Sequence, residues 1–242
     1  MLRVLSYAYW ALIAVTCPLF FAGALLIWLV TLPFDRRKVV LHQYSCAWAV
    51  FFIVINPMWK VRVTGREHLK WRGPAVLAAN HASLIDILVL FQLFRPFKWV
   101  SKAENFKLPF IGWNMHLNGY VSLVRGDRES IMKMLEECSV LLKKGSPVLF
   151  FPEGTRSKDG NLRPFKDGAF SLARQHEVPL VPIAVHGTGS ALPKHGMVLK
   201  EHVDAWVQIL EPMDPADYAS VEELRDVARQ RIEDALASRP TA

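Results

Sequence analysis

A chain of 242 residues is long enough for one domain with a substantial core and short for two full ones. With 29 Lys and Arg against 22 Asp and Glu, the net charge is +7, which favours phosphate-bearing substrates, an anionic membrane surface or an acidic carrier protein. Nucleic acid would also suit that charge, but no Lys/Arg-rich block, aromatic RNA-binding motif or zinc-finger spacing supports it, so none is expected as a partner.

The first predicted element is apolar. From Val4 to Phe34 there is no charged residue over 31 positions, more than the ~20 that a bilayer-spanning helix needs. A cleaved secretory signal is the rival reading, because Ala22-Gly23-Ala24 resembles a cleavage site. Against it, the region before the run holds only Arg3 and the run stays apolar beyond that point. A basic cluster follows (Asp35, Arg36, Arg37, Lys38), then a second apolar stretch over residues 47–59, then Lys60, Arg62 and Arg66. Basic flanks tend to stay cytoplasmic, so the second helix is expected to lie in or dip into one leaflet without crossing. Trp10, Trp28, Trp48 and Trp59 suit either interfacial anchoring or core packing. Cys17, Cys46 and Cys138 lie in apolar stretches without paired spacing, which predicts buried thiols and a reducing, cytosolic setting for the globular part.

From about Val61 short apolar runs alternate with amphipathic ones. Strands are predicted over 74–80, 97–101, 120–124, 147–151 and 180–185, and helices over 83–93, 129–145 and 169–177. Asp127 is placed to cap the helix that carries Ile131, Leu135, Cys138 and Leu142 on one face. Ser220 and Glu223 have capping-box spacing at the head of a last helix that stops before Pro240. The alternation predicts an α/β domain: a single globular unit with a mixed, largely buried sheet flanked by helices, preceded by an N-terminal two-helix membrane-anchoring motif. The division falls at residues 1–60 and 61–242.

Two segments carry chemistry. In AANHASLIDILVL, His81 follows an apolar strand and Asp86 comes five positions later, a base with a carboxylate able to orient it. The bland alternative is that both merely satisfy a turn. In FPEGTRS, Glu153, Gly154, Thr155 and Arg156 follow another apolar strand, where α/β folds place ligands; a guanidinium binds phosphate bidentately and glycine allows close backbone approach. Its bland alternative is a surface turn with a Glu–Arg pair. No nucleophile elbow is present, since Thr188 stands where the first glycine before Ser190 would be, and there is no P-loop or dinucleotide fingerprint. The eight histidines have no metal-ligand spacing, so neither metal nor cofactor is expected. Without a protein nucleophile, direct attack by a substrate hydroxyl activated by His81 is the economical chemistry.

These residues resemble the glycerolipid acyltransferase family, in particular its bacterial 1-acylglycerol-3-phosphate acyltransferases of the PlsC type. Asn80-His81 through Asp86 matches the family's first motif, Lys102, Gly112 and Arg125 hold the spacing of the second, FPEGTRS is the third, and Val181-Pro182-Ile183 matches the fourth. The segment FKDGAF (165–170) is also similar. Asn105 and Val124 depart from the second motif, where Leu and Asp are usual. The resemblance spans roughly residues 75–190. It implies His81 as general base, Asp86 as its orienter, and Lys102, Arg125, Glu153, Gly154, Thr155 and Arg156 as acceptor-binding residues. It also implies a lysophospholipid acceptor, acyl-CoA or acyl carrier protein as donor, and a site on the cytoplasmic face of the inner membrane. Other acceptors (glycerol-3-phosphate, another lysophospholipid, a lyso-aminolipid) stay open. So do thioester hydrolysis and, outside enzymes, a membrane-anchored lipid-binding protein.

Overall fold

The structure is a computed structural model that describes residues 2–69, 73–157, 161–189, 198–199 and 202–238; Ser190 and Pro240 fall outside them. In chain order the elements are α1 (Leu2–Thr31), α2 (Val39–Val54), β1 (Trp59–Thr64), β2 (Val76–Ala79), α3 (Ile85–Phe91), β3 (Lys98–Lys102), α4 (Ile111–Asn118), β4 (Val121–Leu123), α5 (Arg128–Lys143), β5 (Val148–Phe150), α6 (Gly168–Gln175), β6 (Leu180–His186), β7 (Val203–Ile209) and α7 (Val221–Ala237).

The strands form one seven-stranded sheet in the order β1-β7-β6-β2-β5-β3-β4. All pairings are parallel except β6 with β7, so the sheet is mixed. Central strands β2, β5 and β6 are buried at every position, the run of apolar residues that a sheet covered on both faces requires. Alternation then sorts their side chains. Val76, Ala78, Val148, Phe150, Leu180 and Ala184 pack under α5, α6 and α7, whereas Leu77, Ala79, Leu149, Val181, Ile183 and Val185 pack under α2 and α3. The result is a three-layer α/β/α domain.

The expected caps are present. Asp127 accepts the backbone N–H groups of Glu129 and Ser130; Ser220 Oγ accepts Glu223 N–H, and the Glu223 carboxylate reaches back to accept Ala219 N–H, one residue before the cap. All three cysteines are buried free thiols. Three elements have no counterpart in the sequence reading: β1, α4 and β7. Each is short or amphipathic in a way that periodicity does not separate from loop, and β7 closes its strand by antiparallel pairing with a partner about twenty residues away. The sequence division at residue 60 falls inside β1.

At 30 residues, α1 is long and apolar enough to cross a membrane, and only 11% of its most apolar window is buried. It packs against α2 and α4. Tyr9 Oη donates to Phe52 O at 2.6 Å and Tyr44 Oη to Phe20 O at 3.0 Å, tying α1 and α2 into a hairpin. Asp35, in the connecting turn, accepts Val39 and Val40 N–H and so caps α2. The second helix begins well before the apolar stretch read from sequence. Its 16 residues span only ~24 Å, short of a ~30 Å hydrocarbon core, and one face belongs to the domain core through Cys46, Ala49 and Ile53. Trp48 and Trp59 are core residues, while Trp28 carries Lys38 over its ring. Of the basic residues after α2, Arg62 pairs with Asp204 and Arg66 donates to the carbonyls of Gln92 and Leu93.

Candidate active site

Parallel pairing puts the carboxyl ends of β2, β5, β3 and β4 side by side, and each is followed at once by one of the singled-out segments. His81 lies two residues past β2, Glu153 three past β5, Lys102 ends β3 and Arg125 lies two past β4. Neighbouring strands are ~4.8 Å apart, so the row is roughly 14 Å long with the histidine at one end. Ligands of open α/β sheets bind along this edge.

His81 and Asp86 are brought together. Asp86 is fully buried in the first turn of α3, and its Oδ2 accepts from His81 Nδ1 at 2.8 Å, Ala82 N at 2.7 Å and Ser83 N at 2.8 Å. A carboxylate only accepts, so Nδ1 carries the proton and Nε2 keeps its lone pair. Nε2 has no partner among the described residues, which leaves it available to a substrate. Asn80 anchors the strand end from behind: its amide exchanges two hydrogen bonds with the Val185 backbone on β6.

The FPEGTRS turn holds the histidine in three ways. Phe151 stacks on the imidazole with centroids 4.0 Å apart and rings 15° from parallel. Glu153 Oε1 accepts His81 N–H at 2.7 Å, and Ser157 N donates to His81 O at 2.9 Å. Glu153 Oε2 accepts Arg163 N–H at 3.0 Å, so both carboxylate oxygens are spent on backbone. Burial raises the Glu153 pKa, opposed by those two N–H groups. A Glu153–Arg156 surface pair, the bland reading of this turn, is absent among the described residues. Gly154 has φ +69°, a left-handed conformation that suits glycine.

The cations differ among themselves. Lys102 forms an ion pair with Glu104 at 2.9 Å and both are half exposed. Arg125 and Arg156 have no carboxylate partner among the described residues. They are near enough to feel each other: burial first, then the Arg156 guanidinium, lowers the Arg125 pKa, with Glu104 in partial opposition. Two guanidiniums without a carboxylate partner among the described residues, beside a turn with a left-handed glycine, have the chemistry to hold an anion. Gly112 of the second motif serves packing, since a Cβ there would lie 2.3 Å from Phe106 O. The sequence reading did not reach the stacking role of Phe151 or the backbone ties of Glu153. No periodicity signals either; each depends on β2 and β5 being neighbours.

Such an arrangement can take a proton from a hydroxyl while its anionic partner group is held one strand away. The acyltransferase family model matches residues 60–186, which contain every one of these segments. The chain is 41% identical over 240 residues to a 1-acyl-sn-glycerol-3-phosphate acyltransferase of Chlamydomonas reinhardtii, covering 97% of this chain and 70% of that protein. It is 33% identical to one of Pseudomonas aeruginosa over 68% of this chain and 64% of that one. The crystal structure of the 1-acyl-sn-glycerophosphate (LPA) acyltransferase PlsC from Thermotoga maritima superposes over the full length of both chains with a TM-score of 0.78 at 26% identity. Motif order, strand-end geometry and these similarities converge: the chain belongs to the acyltransferase family.

Proposed function

We propose that this protein transfers a fatty acyl group from an acyl thioester to the sn-2 hydroxyl of 1-acylglycerol-3-phosphate, giving phosphatidic acid. The observation that carries the reading is the Nε2 of His81, with Nδ1 held by Asp86, at the strand next to the turn of Arg156; neither Nε2 nor the guanidinium has a partner among the described residues. In the acceptor, phosphorus and the sn-2 oxygen are four bonds apart, at most roughly 5 Å at ~1.5 Å per bond. That matches the ~4.8 Å step from β2 to β5. An acceptor whose phosphate sits on the β5 turn therefore has the reach to present its hydroxyl to His81.

Nε2 removes the hydroxyl proton as the oxygen attacks the thioester carbonyl. The tetrahedral adduct collapses with loss of the thiolate, and the Nε2 proton passes to sulfur, so the products are an ester and a free thiol. Positioning and base catalysis supply the acceleration, the latter typically ~10²–10⁴-fold. Arg156 and Arg125 bind the phosphate, with Thr155 and Gly154 shaping the turn. Glu153 acts through His81 as a positioning residue. Lys102, already paired with Glu104, contributes at the rim. The reading needs no cofactor beyond the donor, acyl-CoA or acyl carrier protein. The exposed apolar face of α1 and the short, half-buried α2 support a hairpin anchored in the inner membrane with the domain on the cytoplasmic side.

The test is a purified full-length protein, in lipid or detergent, given 1-acylglycerol-3-phosphate and each donor, with products separated by thin-layer chromatography. Phosphatidic acid is the expected product. Free fatty acid released regardless of acceptor would show a hydrolase, and ester formed only on other acceptors would overturn the substrate assignment.

A further inference from the structure

Segment 163–166 lies against the FPEGTRS turn and is stitched to it twice. Arg163 N–H donates to Glu153 Oε2 at 3.0 Å, and Lys166 N–H donates to Pro152 O at 2.9 Å. Phe165 between them is buried in the core. The Lys166 side chain is thereby aimed across Gly154: a Cβ built on that glycine would lie 3.0 Å from Lys166 Cε and 3.1 Å from Nζ. Because Gly154 has no side chain, the ammonium lies over the turn that carries Thr155 and Arg156.

Nothing among the described residues neutralises this ammonium. The adjacent carboxylate, Asp167, is bonded to Arg225 on α7 at 2.5 Å, and Glu153 spends both oxygens on backbone N–H groups. Lys166 therefore joins Arg156 and Arg125 as a third cation with no carboxylate bonded to it among the described residues at one end of the sheet. Three cations, Arg125 partly offset by Glu104, thus belong to the segments where the acceptor's head group is placed. A phosphate monoester carries up to two negative charges and three acceptor oxygens, more than one guanidinium fork satisfies.

We infer that Lys166 binds the acceptor's phosphate monoester as a third cationic arm, and that Gly154 is glycine partly to let it reach. The inference rests on the acyl-transfer reading above. It assigns specificity: the extra charge favours a monoester over a phosphodiester head group, because the diester has lost one negative charge.

The experiment compares wild type, Lys166→Met and Lys166→Arg as full-length proteins with 1-oleoylglycerol 3-phosphate as the varied acceptor. Wild-type formation of phosphatidic acid tests the underlying reading alone. Given that activity, Lys166→Met should raise the acceptor KM roughly 10-fold or more, the loss of one charge-assisted bond, with kcat within about 3-fold. Lys166→Arg should recover most of the difference. An unchanged KM in Lys166→Met, or a fall confined to kcat, overturns the inference. A second measurement needs no variant: amine acetylation of the wild-type protein read by mass spectrometry. Saturating 1-oleoylglycerol 3-phosphate should slow labelling of Lys166 several-fold while sparing Lys133 on the exposed face of α5. Equal labelling of Lys166 with and without the lipid refutes it.

Discussion

Replacing Asp86 by Asn tests the base most sharply, because the structure separates its effect on charge from its effect on shape. All three donors converge on one oxygen, Oδ2, while the buried Oδ1 has no partner among the described residues. An amide can put its oxygen where Oδ2 stands, keeping both backbone bonds and the Nδ1 tautomer. Its NH2 then enters the unpartnered position at a cost of about 1–3 kcal/mol, which this fold should survive. What disappears is the counter-charge to the imidazolium that forms as His81 takes the proton. At the 2.8 Å separation, full unit charges in an effective dielectric of about 20 attract by ~6 kcal/mol. With the proton half transferred, roughly half of this, ~3 kcal/mol, is lost from the transition state, or ~10²-fold in rate. The assay is the initial rate of phosphatidic acid formation against acceptor concentration, on protein whose melting confirms a folded state. The expected result is kcat down ~10²-fold with the acceptor KM within about 3-fold. Turnover within 3-fold of wild type in a folded Asp86→Asn protein would refute the role given to this carboxylate.

Further outcomes follow from the same geometry. Arg156→Ala removes a cation with no carboxylate partner among the described residues, so the acceptor KM should rise roughly 10- to 100-fold with little change in melting temperature; a changed donor KM with a normal acceptor KM contradicts the assignment. Glu153→Gln should behave in the opposite way. An amide satisfies only one of the two N–H groups of His81 and Arg163, so the loss is about 1–3 kcal/mol, lowering the melting temperature by several degrees and turnover with it. Activity lost without any loss of stability would argue that Glu153 touches substrate directly. Lys98, buried at the amino end of β3 and donating to Asn118 O at 2.6 Å, has its pKa lowered by burial to about 8 from the ordinary 10.5, with Asp35 opposing. Between those values the unfolded chain holds the extra proton, so this group's contribution to stability is full above about 10.5 and is lost as pH falls to 8. The stability of wild type relative to Lys98→Met should thus rise by up to about 3 kcal/mol from pH 8 upward, and a flat difference would sink the claim.

Sequence alone determined what depends on near neighbours along the chain. The caps at Asp127 and Ser220, the amphipathic face of α5 and the apolar runs of β2, β5 and β6 are each decided within a few residues, and each is where the pattern put it. His81 with Asp86 belongs here too, since a five-residue turn closes the pair. Tertiary structure decided the rest. Strand β7 runs antiparallel and β1 joins it across more than 140 positions, which no local period encodes. The site is likewise a product of strand order: β2 and β5 are adjacent although about seventy residues apart, and only that adjacency stacks Phe151 on His81 and turns Glu153 toward two backbone amides. The same packing separates cations of equal formal charge: among the described residues Arg156 has no carboxylate, while Glu104 occupies Lys102. The residue types named the chemistry, but which charge stays free to act depends on neighbours that only the folded sheet brings within a few ångströms.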